Sequence, residues 1–493
     1  MNRQIGHLFS VIVILFALLI GATTLWTTVR ADDLENQTID GERVNQRPLL
    51  EQQQIPRGLI YADDGSRLAN NVKHGSGQTR FYTRRYPQGS VFANPVGYAF
   101  TQSGTAGLER YYDEDLAGKR NEFASLLDQV LGEKKEGKDL HTALDPAATK
   151  VALQELQSKV TPGGFGSVVA LVPSTGQVRV MVSTPSYDPN AVPAETRRGT
   201  NPGNKRDNIA TMRLTPPGST FKVVTAAAAI DSGKYSPDSM ISGKNMKKIS
   251  GVPLSNDGGE DFGLITLTDA LTHSVNTVFG EVAEKLGDGT MFKYMRRFGF
   301  ESKPPVDLPS DESAVSGVYR HKKRLLEDGE GVDIGRVGIG QSGDTGEILA
   351  TPLQMAEVAA TVANDGVRMK PRIGDRLVRP DGRLADKIRP EQAARVISSE
   401  TAQKLTVMMK NVVHEGTGTQ AALVGIDVAG KTGTAEIPNS AQNRAWFIAF
   451  APASDPQIAI AVTVQPANGQ GGTVAAPIAR DVMKQLLGGK AGG

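Results

Sequence analysis

From Leu8 to Trp26 the chain runs 19 residues without a formal charge, LFSVIVILFALLIGATTLW. Taken as a helix at about 1.5 Å per residue, this stretch covers roughly 28 Å, close to the hydrocarbon thickness of a bilayer. A buried helix of a globular domain is the weaker alternative, because it would rarely be apolar on every face. Arg3 precedes the run, and Arg30, Asp32, Asp33 and Glu35 follow it. The basic flank in front predicts an N-terminus inside and the remainder of the chain outside. A cleaved signal peptide is the competing reading, with LIGA ending at Ala22 as its small-residue site. The length of the run and the interfacial Trp26 favour a retained membrane anchor.

No second run of this kind appears downstream, and the 493 residues suffice for two or three domains with a large buried core. Basic and acidic residues nearly cancel, 55 against 53, without a long block of one sign. That balance gives no reason to expect nucleic acid as a partner. The chain has no cysteine, which excludes disulfides, thiol nucleophiles and Cys-based zinc sites. Its six histidines never fall at His-x-x-x-His spacing, so no metal is expected, and no Gly-x-Ser-x-Gly elbow marks a Ser-His-Asp hydrolase.

After a polar stalk over residues 31–56, RGLIYADDGSRLA (Arg57–Ala69) has the strand, Asp-Gly turn, strand pattern of a hairpin. Short mixed segments with one helix signal at Asn121–Leu131 describe a small α+β domain. Asp145-Pro146 then opens a helix, with a cap followed by proline in the first turn. GSVVALVPSTGQVRVMVS reads as a second hairpin, and RAWFIAFAP and QIAIAVTVQP as two late strands before a helix over Ala475–Leu487. Between them the pattern predicts helices at Ser219–Ser232, Leu267–Leu286, Thr351–Asp365 and Pro390–Glu415. The expected fold class is α+β, one antiparallel sheet packed against helices. The expected boundaries are 1–7 tail, 8–29 anchor, 30–144 first domain, 145–488 second domain and 489–493 tail.

Three constellations could carry chemistry. In LTPPGSTFKVV, Pro216-Pro217-Gly218 stops any upstream helix, so Ser219 begins a new one with Lys222 one turn on, sharing its face. The apolar VVTAAAAI that follows predicts a buried helix, where a lysine loses proton affinity and can take a proton from serine. A chance Ser-x-x-Lys with a solvated lysine is the plainer alternative. In LTHSVNTVF, Ser274 and Asn276 sit in a polar break of an apolar helical region, which fits either a cleft pair or helix capping. In VAGKTGTAE, a strand bearing Lys431, Thr432, Gly433 and Thr434 can present a cation and hydroxyls along an edge, with glycine admitting a ligand's backbone. The phosphate-loop spacing fails there.

In this order, Ser-x-x-Lys, Ser-x-Asn and Lys-Thr-Gly resemble the motif set of the penicillin-binding protein and serine β-lactamase superfamily. VVALVPSTGQVRVMVSTPSYDPN, GIGQSGDTGEILATPLQMAEVAATVANDG and HEGTGTQAALVGIDVAGKTGTAE are similar to the transpeptidase domain of penicillin-binding proteins. RGLIYADDGSRLA, YPQGSVFANPVGY and GLERYYDEDLAG resemble the N-terminal pedestal, or dimerisation-like domain, of the monofunctional class B branch, most of all the actinobacterial penicillin-binding protein A group.

The resemblance implies a peptidoglycan D,D-transpeptidase without a cofactor, acting in cell-wall synthesis for division or growth. It assigns Ser219 as the acylated nucleophile and Lys222 as general base, with Ser274 relaying a proton. Asn276 would orient the substrate amide, and Lys431, Thr432, Gly433 and Thr434 would hold the terminal carboxylate. The backbone N–H groups of Ser219 and Thr434 would form an oxyanion hole. Implied partners are stem peptides ending in D-Ala-D-Ala, β-lactams as covalent inhibitors, the membrane, and a SEDS-family (shape, elongation, division and sporulation) glycan polymerase with division or elongation proteins. A D,D-carboxypeptidase and a class D-like β-lactamase or β-lactam sensor are the alternatives.

Overall fold

The computed structural model describes residues 2–26, 38–39, 42–43, 53–118, 136–200, 206–325, 331–343, 346–437 and 440–488. The chain divides into two compact units, Met1–Pro56 with Val72–Thr83, and Arg57–Asn71 with Arg84–Gly493. In the first, Asn2–Thr24 form helix α1. Among the described residues it is the one helix long and apolar enough to cross a membrane, with mean hydropathy 2.3 over Gly6–Thr24. Its two interior hydroxyls bond within the helix, Ser10 Oγ to Gly6 O at 3.0 Å and Thr23 Oγ1 to Leu19 O at 2.8 Å. A helix in hydrocarbon needs that internal satisfaction. The expected helix at Asn121–Leu131 lies outside the described residues.

The second unit opens on the expected hairpin. Ile60–Tyr61 pairs with Arg67–Ala69, and the turn passes through Gly65 at φ 81°, a conformation open to glycine. The hairpin does not stand alone. Ile60–Tyr61 also runs parallel to Asp139–Thr142, which pairs with Gly374–Val378, so one sheet joins strands distant in the chain. Beneath it the Glu109 carboxylate is fully buried between Arg57 Nε at 2.7 Å and Arg84 Nε at 2.6 Å. A buried charge is held at tolerable cost when it is paired on both sides in this way.

Helix α2 (Pro146–Lys159) starts as expected: Asp145 caps it by accepting from Ala148 N at 2.9 Å. The central sheet contains β1 (Phe165–Leu171), β2 (Val178–Thr184), β3 (Ala429–Glu436), β4 (Asn443–Ala451) and β5 (Ile458–Ala467), all antiparallel, in the order β2-β1-β5-β4-β3. Helices cover both faces. Val168, Ala170, Phe447 and Ile460 pack toward α2 and the C-terminal helix α8 (Gly471–Gly488). Val169, Leu171, Trp446 and Ile448 pack toward α3 (Lys222–Asp231), α5 (Asn276–Leu286), α6 (Pro352–Ala363) and α7 (Ser399–His414). Burial on both faces explains why these strands read as unbroken apolar runs and not as alternating ones. Strand β3 is an edge.

Three helical expectations need correction. Leu267–Leu286 is two helices, α4 (Leu267–Thr272) and α5, broken at His273-Ser274-Val275 because Ser274 adopts φ 61°. Of Pro390–Glu415, residues Gln392–Arg395 form a strand against Val367–Met369, and α7 begins only where Ser398 caps it by accepting from Thr401 N at 3.1 Å. Helix α8 begins at Gly471, four residues earlier than expected. The two glycines that obscure its start are needed there. A Cβ on Gly471 would lie 2.2 Å from Trp446 O, and one on Gly472 would lie 2.3 Å from Thr417 O.

Candidate active site

Ser219 lies in the tight turn Gly218–Phe221 that runs directly into α3. Helix α3 is buried on every side from Lys222 to Ile230, more completely than one apolar face requires. Ser219 is 9 % exposed and opens on a cleft of about 400 Å³, whose walls also include Ser274, Asn276, Thr432 and Thr434. The turn is pinned by backbone contacts. Gly218 N donates to Gly340 O at 2.9 Å. A Cβ on Gly218 would lie 2.9 Å from the Thr434 carbonyl, and one on Gly433 would lie 2.6 Å from Pro217 O. Hydrogen is the one substituent these positions accept without displacing backbone.

Lys222 is fully buried, and its ammonium donates to Ser274 O at 2.6 Å, Asn276 Oδ1 at 2.7 Å and Ser274 Oγ at 3.3 Å. Phe279 lies beneath it, 5.8 Å from ring centroid to Nζ. Lys431, also fully buried, donates to Ser274 Oγ at 2.9 Å and to Thr432 Oγ1 at 3.3 Å. Burial strips both lysines of hydration. Burial first, then the nearby charge of Lys431, drive the Lys222 amine well below its ordinary value, against the opposing pull of Asp257. Burial alone pushes Lys431 down to about 7.

The fold thus gathers Lys222, Ser274, Asn276 and Lys431 into one hydrogen-bonded set, with Ser219, Thr432 and Thr434 on the same cleft. Among the described residues, the Ser219 hydroxyl stands outside that set. Asn276 is held from its other end, Nδ2 donating to Ser255 O at 3.1 Å. Thr434 Oγ1 accepts from Gly471 N at 3.2 Å, and its carbonyl accepts from Gln341 Nε2 at 3.1 Å. Thr432 Oγ1 lies 2.6 Å from Thr417 Oγ1. Thr417, Gln341, Asp257 and Gln470 all line the cleft, and sequence reasoning did not single them out. The one local signal was the Gly-Thr-Gly at 416–418: a Cβ on Gly416 would strike Thr272 O at 2.4 Å. Among the described residues no group of His, Asp or Glu side chains is arranged to hold a metal ion.

Comparison with known proteins places this geometry among relatives. Residues 166–484 match the model of the penicillin binding protein transpeptidase domain, and residues 57–140 that of the penicillin binding protein A dimerisation domain. The chain is 33 % identical to the peptidoglycan D,D-transpeptidase PbpA of Mycolicibacterium smegmatis over 99 % of both chains. It is 32 % identical to PbpA of Mycobacterium tuberculosis, over 99 % of this chain and 100 % of the relative. Among solved structures, the ceftriaxone acyl-enzyme complex of penicillin-binding protein A from M. tuberculosis superimposes with a TM-score of 0.78 at 31 % identity. That match covers 89 % of this chain and 100 % of the other. A D,D-transpeptidase domain from Eggerthella lenta matches with a TM-score of 0.76 at 29 % identity, over 89 % of this chain and 99 % of that one.

Proposed function

Because the chain belongs to the penicillin-binding protein transpeptidase family, we propose that its cleft performs peptidoglycan D,D-transpeptidation through an acyl-enzyme on Ser219. The observation that supports this most is the Lys222 amine, fully buried and stripped of proton affinity one turn from Ser219. In its neutral form Lys222 takes the Ser219 hydroxyl proton as Oγ attacks the penultimate D-Ala carbonyl of a stem peptide. The C–Oγ bond forms, the C–N bond to the terminal D-Ala breaks, and the proton passes through Ser274 to the leaving amine. Asn276 orients the substrate amide. Lys431, Thr432 and Thr434 hold the terminal carboxylate by charge-assisted hydrogen bonds, and Gly433 lets the substrate backbone approach. The N–H groups of Ser219 and Thr434 receive the developing oxyanion. An amine of a second stem then resolves the ester and closes the cross-link. A β-lactam enters by the same attack and leaves slowly.

Helix α1 acts as a single-pass anchor, with the cleft outside the cytoplasm and the domain limits at 8–29, 30–144 and 145–488. A SEDS-type glycan polymerase that supplies new strands for division or growth is the partner that fits this placement. A D,D-carboxypeptidase would use the same groups with water as acceptor. Two measurements on the full-length protein test the reading. A fluorescent penicillin should label wild type and not Ser219→Ala; equal labelling would remove Ser219 from its role. A donor peptide offered with an amine should give the cross-linked amide, and hydrolysis alone would assign a carboxypeptidase.

A further inference from the structure

Asp257 Oδ2 accepts a hydrogen bond from Gln470 Nε2 at 3.0 Å, and both residues line the cleft that holds Ser219. Asp257 follows Ser255, which carries Asn276; Gln470 precedes α8, which carries Thr434. The bond therefore joins the two walls.

The base of the Asp257 turn is fixed. Asn256 is 4 % exposed; its Nδ2 donates to Gly243 O and Glu260 O, each at 2.9 Å, and its Oδ1 accepts from Thr277 N at 3.0 Å. Past Asp257 the chain reverses through Gly258 and Gly259 at φ 65° and 74°. A rigid base thus delivers the carboxylate to the wall that bears Lys222, Ser274 and Asn276, and its charge is felt at Lys222.

The second half of the reaction needs a charge in this place. Aminolysis of the acyl-enzyme is acylation run in reverse, so the incoming amine occupies the position the D-Ala amine vacated, beside Ser274 and Lys222. In water that amine arrives as an ammonium. Lys431, which keeps its charge while Lys222 is neutral and free to take a proton, already occupies the site and repels a second cation. Among the described residues the acidic side chains lining the cleft are Asp257 and Glu436, and Glu436 stands at the far end of β3.

Resting on the reading above, we propose that Asp257 docks the ammonium group of the acceptor strand and that Gln470 holds its carboxylate in position until the acceptor arrives. The docked ammonium releases one proton to solvent, and the freed nitrogen lone pair attacks the acyl carbonyl. The C–N bond forms and the C–Oγ bond to Ser219 breaks. The surplus nitrogen proton passes through Ser274 to Lys222, and Lys222 returns a proton to Ser219 Oγ.

The test uses full-length protein with a thioester donor peptide and two competing nucleophiles, glycinamide as a charged amine and methanol as an uncharged one. The readout is the ratio of transfer to hydrolysis, in which any change in acylation cancels. Asp257→Asn keeps an oxygen for Gln470 and removes the charge. It should lower the glycinamide ratio about tenfold, as loss of a charge-assisted contact does, and leave the methanol ratio nearly unmoved. Asp257→Glu should recover most of the loss. An unchanged glycinamide ratio, an equal fall for methanol, or an amine-selective loss in Glu436→Gln in place of Asp257→Asn would overturn the proposal. Labelling with fluorescent penicillin separates the two readings. An unlabelled wild type removes the acyl-enzyme and this inference together, whereas a labelled wild type with an unmoved ratio removes this inference alone.

Discussion

Lys431 Nζ donates to Ser274 Oγ at 2.9 Å, and the same oxygen lies 3.3 Å from Nζ of Lys222. One hydroxyl thus mediates between two buried amines, neither of which forms an ion pair with a carboxylate among the described residues. Two ammonium groups so close repel each other strongly in a medium of low dielectric. The arrangement favours one charged and one neutral lysine. Burial lowers both, and at Lys222 the nearby charge of Lys431 acts in the same direction, so Lys222 is the one cast as the neutral amine.

Ser274→Ala removes the shared oxygen while leaving both lysines in place. The second-order rate of acylation by a labelled penicillin should fall about 10²- to 10⁴-fold, the usual worth of a positioned proton-transfer group. Far-UV circular dichroism should be unchanged. A rate within threefold of wild type would show that Lys222 acts without the relay.

Lys431 is expected to shape the pH profile. Acylation should rise with pH as Lys222 loses its proton, then decline above about pH 7 as Lys431 loses the charge that holds a carboxylate. Lys431→Arg keeps its charge throughout that range. In this variant the alkaline decline should disappear up to about pH 9, at a lower absolute rate. A decline that stays at the wild-type pH would assign it to another group.

Glu357, on α6 and 2 % exposed, is raised to about 7 by burial, against the pull of Arg368 at 3.1 Å. Its ordinary value is 4.5. Between those two pH values the folded chain keeps this proton and the unfolded chain releases it, so stability falls as pH rises through that window and levels off above it. The group contributes up to roughly 3 kcal/mol of that loss. Urea midpoints at pH 5 and pH 8 should lie closer together in Glu357→Gln than in wild type. Equal separations would mean that Glu357 titrates normally.

What could be read from the sequence was local. The Asp145 cap, the hairpin turn at Gly65, the serine at a helix start and the Lys-Thr-Gly strand depend on neighbours within a few residues. Ser274-Val-Asn276 was legible as a break because polar residues interrupt an apolar pattern. Thr417, Gln341, Asp257 and Gln470 were not, since each enters the cleft through a partner far along the chain, such as Asp257 for Gln470 or Thr432 for Thr417. Strand Gln392–Arg395 was lost for the same reason: its pairing with Val367–Met369 overrides a helical run that continues only after Ser398. The start of α8 was masked because Gly471 and Gly472, poor helix formers, answer to the backbone of β3, β4 and the 417 loop.

The serine turn meets strand β3 backbone against backbone at Gly218 and Gly433. That joint offers no side chain to trim, enlarge or recharge. Mutation can therefore remodel the rim of the cleft, where Asp257, Gln470, Thr417 and Glu436 stand, and alter which ligands enter and how long they stay. The floor, where the two backbones meet, has no such freedom. Under selection for changed ligand preference, adaptive substitutions should accumulate on the rim, with the spacing of the two amides inherited unchanged.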